Sequence, residues 1–187
     1  ALLRRCTLLR DIKAGKLIHA HIDRTFHKAR KSSTLNYTLF CMYAKCGSLI
    51  ETRSAFDAID RPNVVAWTFL INEYVKSRDM AEEAMVLYRK MIQEGVIPNH
   101  VTYLCVLKAC AFLRCIENGK HVHVNVCVNS SGFKVVLGNA LIDMYVKCGD
   151  VEMAEIEFRQ ISDRTVVSWN SLIYGYVKNH EFEHAFS

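Results

Sequence analysis

The stretch Asn139-Ala140-Leu141-Ile142-Asp143-Met144-Tyr145-Val146-Lys147-Cys148-Gly149 decides the fold, because it occurs twice. Set back by 102 positions, Leu141, Met144, Tyr145, Lys147, Cys148 and Gly149 fall on Leu39, Met42, Tyr43, Lys45, Cys46 and Gly47. The same shift carries Phe158 and Ile161 onto Phe56 and Ile59. It also carries Val166, Val167, Trp169, Leu172, Ile173, Tyr176, Val177 and Lys178 onto Val64, Val65, Trp67, Leu70, Ile71, Tyr74, Val75 and Lys76. Sixteen identities among 38 positions are far beyond chance. A shift of 104 repeats a second block: Cys6, Leu9-Arg10, Ile12, Gly15-Lys16 and His19 return as Cys110, Leu113-Arg114, Ile116, Gly119-Lys120 and His123. Within the long period, Tyr43-Ala44-Lys45 is echoed 31 residues later by Tyr74-Val75-Lys76. The chain is an array of short units, placed at 33–63, 64–99, 100–134 and 135–165, with partial units at 1–32 and 166–187.

Inside a unit the apolar spacing is helical. Trp67, Leu70, Ile71 and Tyr74 stand at i, i+3, i+4 and i+7, one face of a first helix. Arg78-Asp79 interrupts the pattern, and Met80, Ala84, Leu87, Tyr88 and Met91 make a second face. Gly95 and Pro98 then stop the unit. Each unit is a helix–turn–helix hairpin whose stripes are buried only by stacked neighbours, which predicts an all-α chain, an α-solenoid. The chain opens inside one unit and closes within a second helix, so the expectation is a stretch of a longer array.

Composition narrows the function classes. Apolar residues are 51% and charged residues 23%, the balance of a globular protein. No apolar run reaches the roughly 18 residues of a membrane span, so no membrane partner is expected. Twenty-four Lys and Arg against 19 acidic residues leave a net charge of +5, compatible with a polyanionic partner without requiring one. The eight cysteines contain no C-x2-C pair, the usual nucleus of a zinc site, and read as reduced, mostly buried small hydrophobes. No Gly-rich phosphate loop, nucleophile–base set or deaminase signature is present, so neither a catalytic residue nor a cofactor is expected, and the stretch reads as non-enzymatic.

Several helical repeats share this length. The tetratricopeptide pattern W-x2-L-G-x2-Y begins at Trp67-x2-Leu70 and Trp169-x2-Leu172, but Ile71 and Ile173 stand where it needs glycine. The phrases Val166-Val167-Ser168-Trp169-Asn170-Ser171-Leu172-Ile173, Asn139 to Gly149 and Val106-Leu107-Lys108-Ala109-Cys110 resemble instead the PLS class of plant pentatricopeptide-repeat proteins. In that frame the order is partial L (1–32), S (33–63), P (64–99), L (100–134), S (135–165) and partial P (166–187). The resemblance implies a right-handed α-solenoid that binds single-stranded RNA in mitochondria or chloroplasts, about one base per repeat. Its base-selecting pairs would be Thr68 with Asn99, implying adenine, and Asn139 with Thr165, implying a pyrimidine. Asn170 would pair with a residue past the last one. Val65, Val136 and Val167 would grip the base faces, and Lys45, Lys76, Lys147 and Lys178 would meet phosphates. The resemblance further implies a role in organellar RNA processing, such as selecting a cytidine-to-uridine editing site, with catalysis supplied elsewhere.

Departures limit the carry-over. Tyr37 stands where Asn is expected, with Asn36 one place early, so Tyr37/Asn63 names no base. Leu104/Lys134 offers no hydrogen bond to a base, which leaves the unit at 100–134 as a spacer. His180-Glu181-Phe182-Glu183-His184 spells H-E-x-x-H, but His180 aligns with an inter-helix turn, so a zinc site is not expected. The recurrence of His19 and His123, and of Cys46 and Cys148, speaks for packing rather than ligation. Trp67 and Trp169 read as core, and the basic segment from Arg24 to Lys31 as a solvated linker. The rival class of function is a helical scaffold for protein partners, RNA-editing accessory factors among them, and stripes left uncovered at the array ends would allow self-association.

Overall fold

The computed structural model describes residues 2–25, 33–129 and 134–178, which form eleven α-helices and no strand. They are α1 (Leu2–Leu9), α2 (Ile12–Thr25), α3 (Ser33–Cys46), α4 (Leu49–Asp57), α5 (Val64–Lys76), α6 (Ala81–Gln93), α7 (His100–Leu113), α8 (Ile116–Asn129), α9 (Lys134–Cys148), α10 (Val151–Gln160) and α11 (Val166–Lys178). A 3-10 turn at Arg78–Met80 separates α5 from α6, where the apolar pattern breaks. The chain divides into two compact units, residues 1–73 and 74–187.

In the first unit α1 packs on α2 and α3, and α3 packs on α4. In the second, α7 packs on α6, α8 and α9, and α9 packs on α8, α10 and α11. Odd-numbered helices therefore lie side by side and each even helix leans on its odd partners. The cause is the stripe: Leu39, Phe40, Met42 and Tyr43 on α3, and Leu141, Ile142, Met144 and Tyr145 on α9, are all 3% exposed or less. Phe56 meets Trp67 edge-on with ring centroids 4.7 Å apart, an arrangement contributing about 0.5–1.5 kcal/mol beyond burial.

The repeated residues make repeated contacts. Gly15 backs onto the Met42 thioether in the first unit and Gly119 onto the Met144 thioether in the second; a Cβ at either place would overlap the sulfur. The ring Nδ1 of His19 lies 2.8 Å from the Tyr43 hydroxyl, and that of His123 lies 2.8 Å from the Tyr145 hydroxyl. On the other ring nitrogen the copies diverge. His19 faces the exposed Asp23 at 3.6 Å, whereas His123 faces Glu157 at 3.3 Å, and Glu157 is buried. Burial pushes the Glu157 carboxyl above its ordinary value near 4.5, opposed by His123.

Turns follow from backbone demand. Gly47 and Gly149 end α3 and α9 at φ +77° and +86°, a region that glycine enters without penalty. The corresponding turns after α1 and α7 place Arg10 and Arg114 at φ +52° and +50°. Arg114 caps α7 in this left-handed conformation, its N–H bonded to the Cys110 carbonyl.

Two stability outcomes follow. Arg114→Gly should stabilise the chain by about 1 kcal/mol in urea unfolding, because the left-handed strain disappears. Glu157 carries a raised carboxyl, so its contribution is fully present below about pH 4.5 and is lost as pH rises through the folded-state value. Glu157→Gln should therefore match the parent near pH 4 and exceed it in urea midpoint at pH 8.

Candidate nucleic-acid interface

On an α-helix, residues at i, i+3, i+7 and i+11 share one side. On α5 that side carries Val65, Thr68, Asn72 and Lys76; on α9 Val136, Asn139, Asp143 and Lys147; on α11 Val167, Asn170, Tyr174 and Lys178. Val65, Val136 and Val167 are 56%, 50% and 59% exposed, although the opposite sides of α5 and α9 are sealed in the core. An aliphatic residue, a polar or capping residue and a lysine thus recur along the accessible edge of the odd helices.

The second unit brings one sequence-derived pair together. The Asn139 amide donates to the Thr165 hydroxyl at 3.4 Å, and the Ser168 hydroxyl donates to the Asn139 carbonyl oxygen at 2.6 Å. In the first unit Tyr37 and Asn63 share a side-chain hydrogen bond, while burial pushes the Tyr37 phenol up. Asn36 donates to the Ala58 carbonyl at 2.7 Å, so it does not take the place of Tyr37. Thr68 lies in the first unit, 8% exposed, and Asn99 in the second. Asn170 is exposed and Leu104 half-buried.

The residue that closes a unit also starts the following helix, a role the sequence reading did not assign. The Asn63 side chain accepts from the Ala66 N–H at 3.0 Å. The Asn99 side chain accepts from the Thr102 N–H at 2.9 Å while the Thr102 hydroxyl accepts from the Asn99 N–H at 3.3 Å. Thr165 and Ser168 exchange the same reciprocal contacts at 3.1 and 3.4 Å. The signal was present as Asn99-x-x-Thr102 and Thr165-x-x-Ser168, the spacing of a capping box.

Lys45, Lys76 and Lys178 are exposed, as phosphate contacts must be. Lys147 differs: its ammonium sits 2.7 Å from Asp143 on the same edge, which compensates its charge. Trp67 is fully buried, its indole N–H unpartnered, so it fills core volume. Trp169 copies the edge-on contact, 4.7 Å from Phe158, yet is 52% exposed; the core reading holds for one face only. All eight cysteines are free thiols, three buried, four half-buried, and Cys127 exposed against expectation. Burial pushes Cys110 up to about 12 and Cys148 up to about 11, which suppresses thiolate reactivity. Among the described residues no group of three His, Cys, Asp or Glu could hold a metal, and no helix is long and apolar enough to cross a membrane. His180 and His184 lie outside the described residues, as does the basic segment beyond Thr25.

Comparison with known proteins defines the class. A family model described as "PPR repeat family" matches residues 62–111, and one described as "PPR repeat" matches 139–156 and 167–187. A chloroplastic pentatricopeptide repeat-containing protein of Arabidopsis thaliana is 40% identical over 172 residues, covering 91% of this chain and 21% of the relative. A mitochondrial one from the same plant is 36% identical over 189 residues, 99% of this chain and 26% of the relative. The maize pentatricopeptide repeat protein PPR10 superimposes with a TM-score of 0.73 at 21% identity, over 96% of this chain and 27% of that one. PPR10 in complex with an 18-nt psaJ RNA element gives 0.70 at 20%, over 98% and 27%. The chain belongs to the pentatricopeptide-repeat family, and its fold is that family's α-solenoid of helical hairpins. It spans about a quarter of the length of the curated relatives it matches.

The capping geometry yields a sharp expectation. Asn99→Ala should cost about 1 kcal/mol in urea unfolding, whereas Asn99→Asp, an equally good cap, should leave stability within a few tenths.

Proposed function

We propose that this chain binds single-stranded RNA in a sequence-dependent way, about one base per readable repeat, as part of organellar RNA processing such as selection of a cytidine-to-uridine editing site. The observation that carries the reading is the Asn139–Thr165 hydrogen bond, flanked by the exposed Val136 and Val167. Two polar side chains held against each other between two exposed aliphatic ones can meet a base edge and cover its faces. Each stacked, hydrogen-bonded base contributes about 1–3 kcal/mol, so a few repeats give weak affinity. The organelle follows from relatives named chloroplastic or mitochondrial, and the absence of any expected catalytic residue makes this stretch the address rather than the catalyst. The PLS assignment and the repeat limits serve as the frame of this proposal.

Fluorescence anisotropy with short RNAs that vary the base facing Asn139/Thr165 tests it. The parent should prefer a pyrimidine by roughly tenfold, about 1.4 kcal/mol. The double change Asn139→Thr with Thr165→Asn reproduces the Thr68/Asn99 pair and should move the preference to adenine. Binding without base preference would refute sequence reading and leave a basic surface. No RNA binding by a folded monomer would replace the proposal with the protein-scaffold function, and concentration-dependent size exclusion would show whether the array ends self-associate.

A further inference from the structure

The unit at 100–134 has no readable pair, since Leu104 cannot hydrogen-bond a base, and its edge departs from the others. On α7 the positions shared with α5, α9 and α11 carry Val101, Leu104, Lys108 and Phe112. Val101 keeps the exposed aliphatic place, at 41%. Phe112 occupies the place of Lys76, Lys147 and Lys178, and the cation has moved one turn back to Lys108. The Lys108 ammonium lies 5.5 Å from the Phe112 ring centroid, and the Arg78 guanidinium, from the 3-10 turn ahead of α6, lies 5.1 Å from the same centroid. A half-buried ring thus holds two exposed cations from two hairpins over one spot.

Charge compensation sets this spot apart. Lys16, Arg53, Lys90, Lys120, Lys147 and Arg159 each face a carboxylate. Arg164 also rests on a ring, Phe158 at 4.9 Å, but donates to the Phe158 and Arg159 carbonyls. Arg78 and Lys108 have neither an acid nor a carbonyl partner among the described residues. Uncompensated cations pinned by an aromatic ring are pre-organised for an anion, because less side-chain freedom is lost on contact.

We propose that Arg78 and Lys108, seated on Phe112, form a phosphodiester-binding site, so that the unit unable to read a base grips the RNA backbone. The site rests on the RNA-binding reading and adds to it a sequence-independent contact at the repeat otherwise assigned to spacing. Its ligand is a backbone phosphate, recognised by charge and by the guanidinium fork.

The test is salt-dependent anisotropy with oligouridine and oligoadenosine, using the parent chain, the double change Arg78→Gln with Lys108→Gln, and Lys108→Arg. Both Gln changes are at exposed positions, and thermal melts should be unaltered. The double variant should lose roughly tenfold in affinity for both RNAs alike, and its log-affinity against log-salt slope should flatten by about 1.4, or about 0.7 for each phosphate released on a single strand. Lys108→Arg should keep both. A parent that binds RNA and a double variant with the same affinity and slope would overturn the site while leaving RNA binding intact. A loss confined to one of the two RNAs would overturn the backbone assignment in favour of base contact. A parent that binds neither RNA would remove the underlying reading and the site together.

Discussion

No helix in this chain can bury its own apolar stripe. Helices of eight to fifteen residues expose too much of a side bearing Leu, Ile, Tyr and Trp to stand in water alone, and most of their stability comes from tertiary packing. The lateral contacts of α1 with α3, α7 with α9 and α9 with α11 answer that constraint. Once the odd helices lie side by side, their remaining edges are aligned as well. The same packing that seals Leu141, Ile142 and Tyr145 leaves Val136, Asn139 and Lys147 accessible. The candidate interface is the uncovered side of the core.

Much of this was legible in the residues. Two long shifts exposed the repeat, and a 3.6-residue spacing gave the hairpins, because packing between like neighbours forces like residues into like places. The Met–Gly contacts and the His–Tyr contacts recur for that reason. Legibility failed where a contact joins residues with no common pattern. Nothing in the spacing of Trp169 told that half of it stays exposed while Trp67 is sealed. The Asp143–Lys147 pair was open to inspection as an i, i+4 spacing, yet the lysines were read only as a row. Glu157 has no counterpart in the earlier copy, so its burial beside His123 had no precedent along the chain.

The charge pattern shows why a row of like residues is a poor measure of function. Lys147 and Lys108 occupy edges of adjacent helices, but one meets a carboxylate and the other an aromatic ring. A paired lysine contributes little field, since an exposed pair is largely neutral and screened within about a Debye length. The strongest positive feature therefore falls on α7, where the base-reading pattern is weakest.

The residue at the end of each unit serves the fold by starting the next helix, and that duty restricts what can stand there. Asn63, Asn99 and Thr165 come from the small set of side chains, Asn, Asp, Ser and Thr, that close a helix start well. Exchange within this set is nearly neutral in free energy, whereas exchange outside it weakens the array. The position is thus a four-letter alphabet in which chemistry can drift without loss of folding. A surface built this way can acquire new partners over generations through substitutions that selection for stability barely sees.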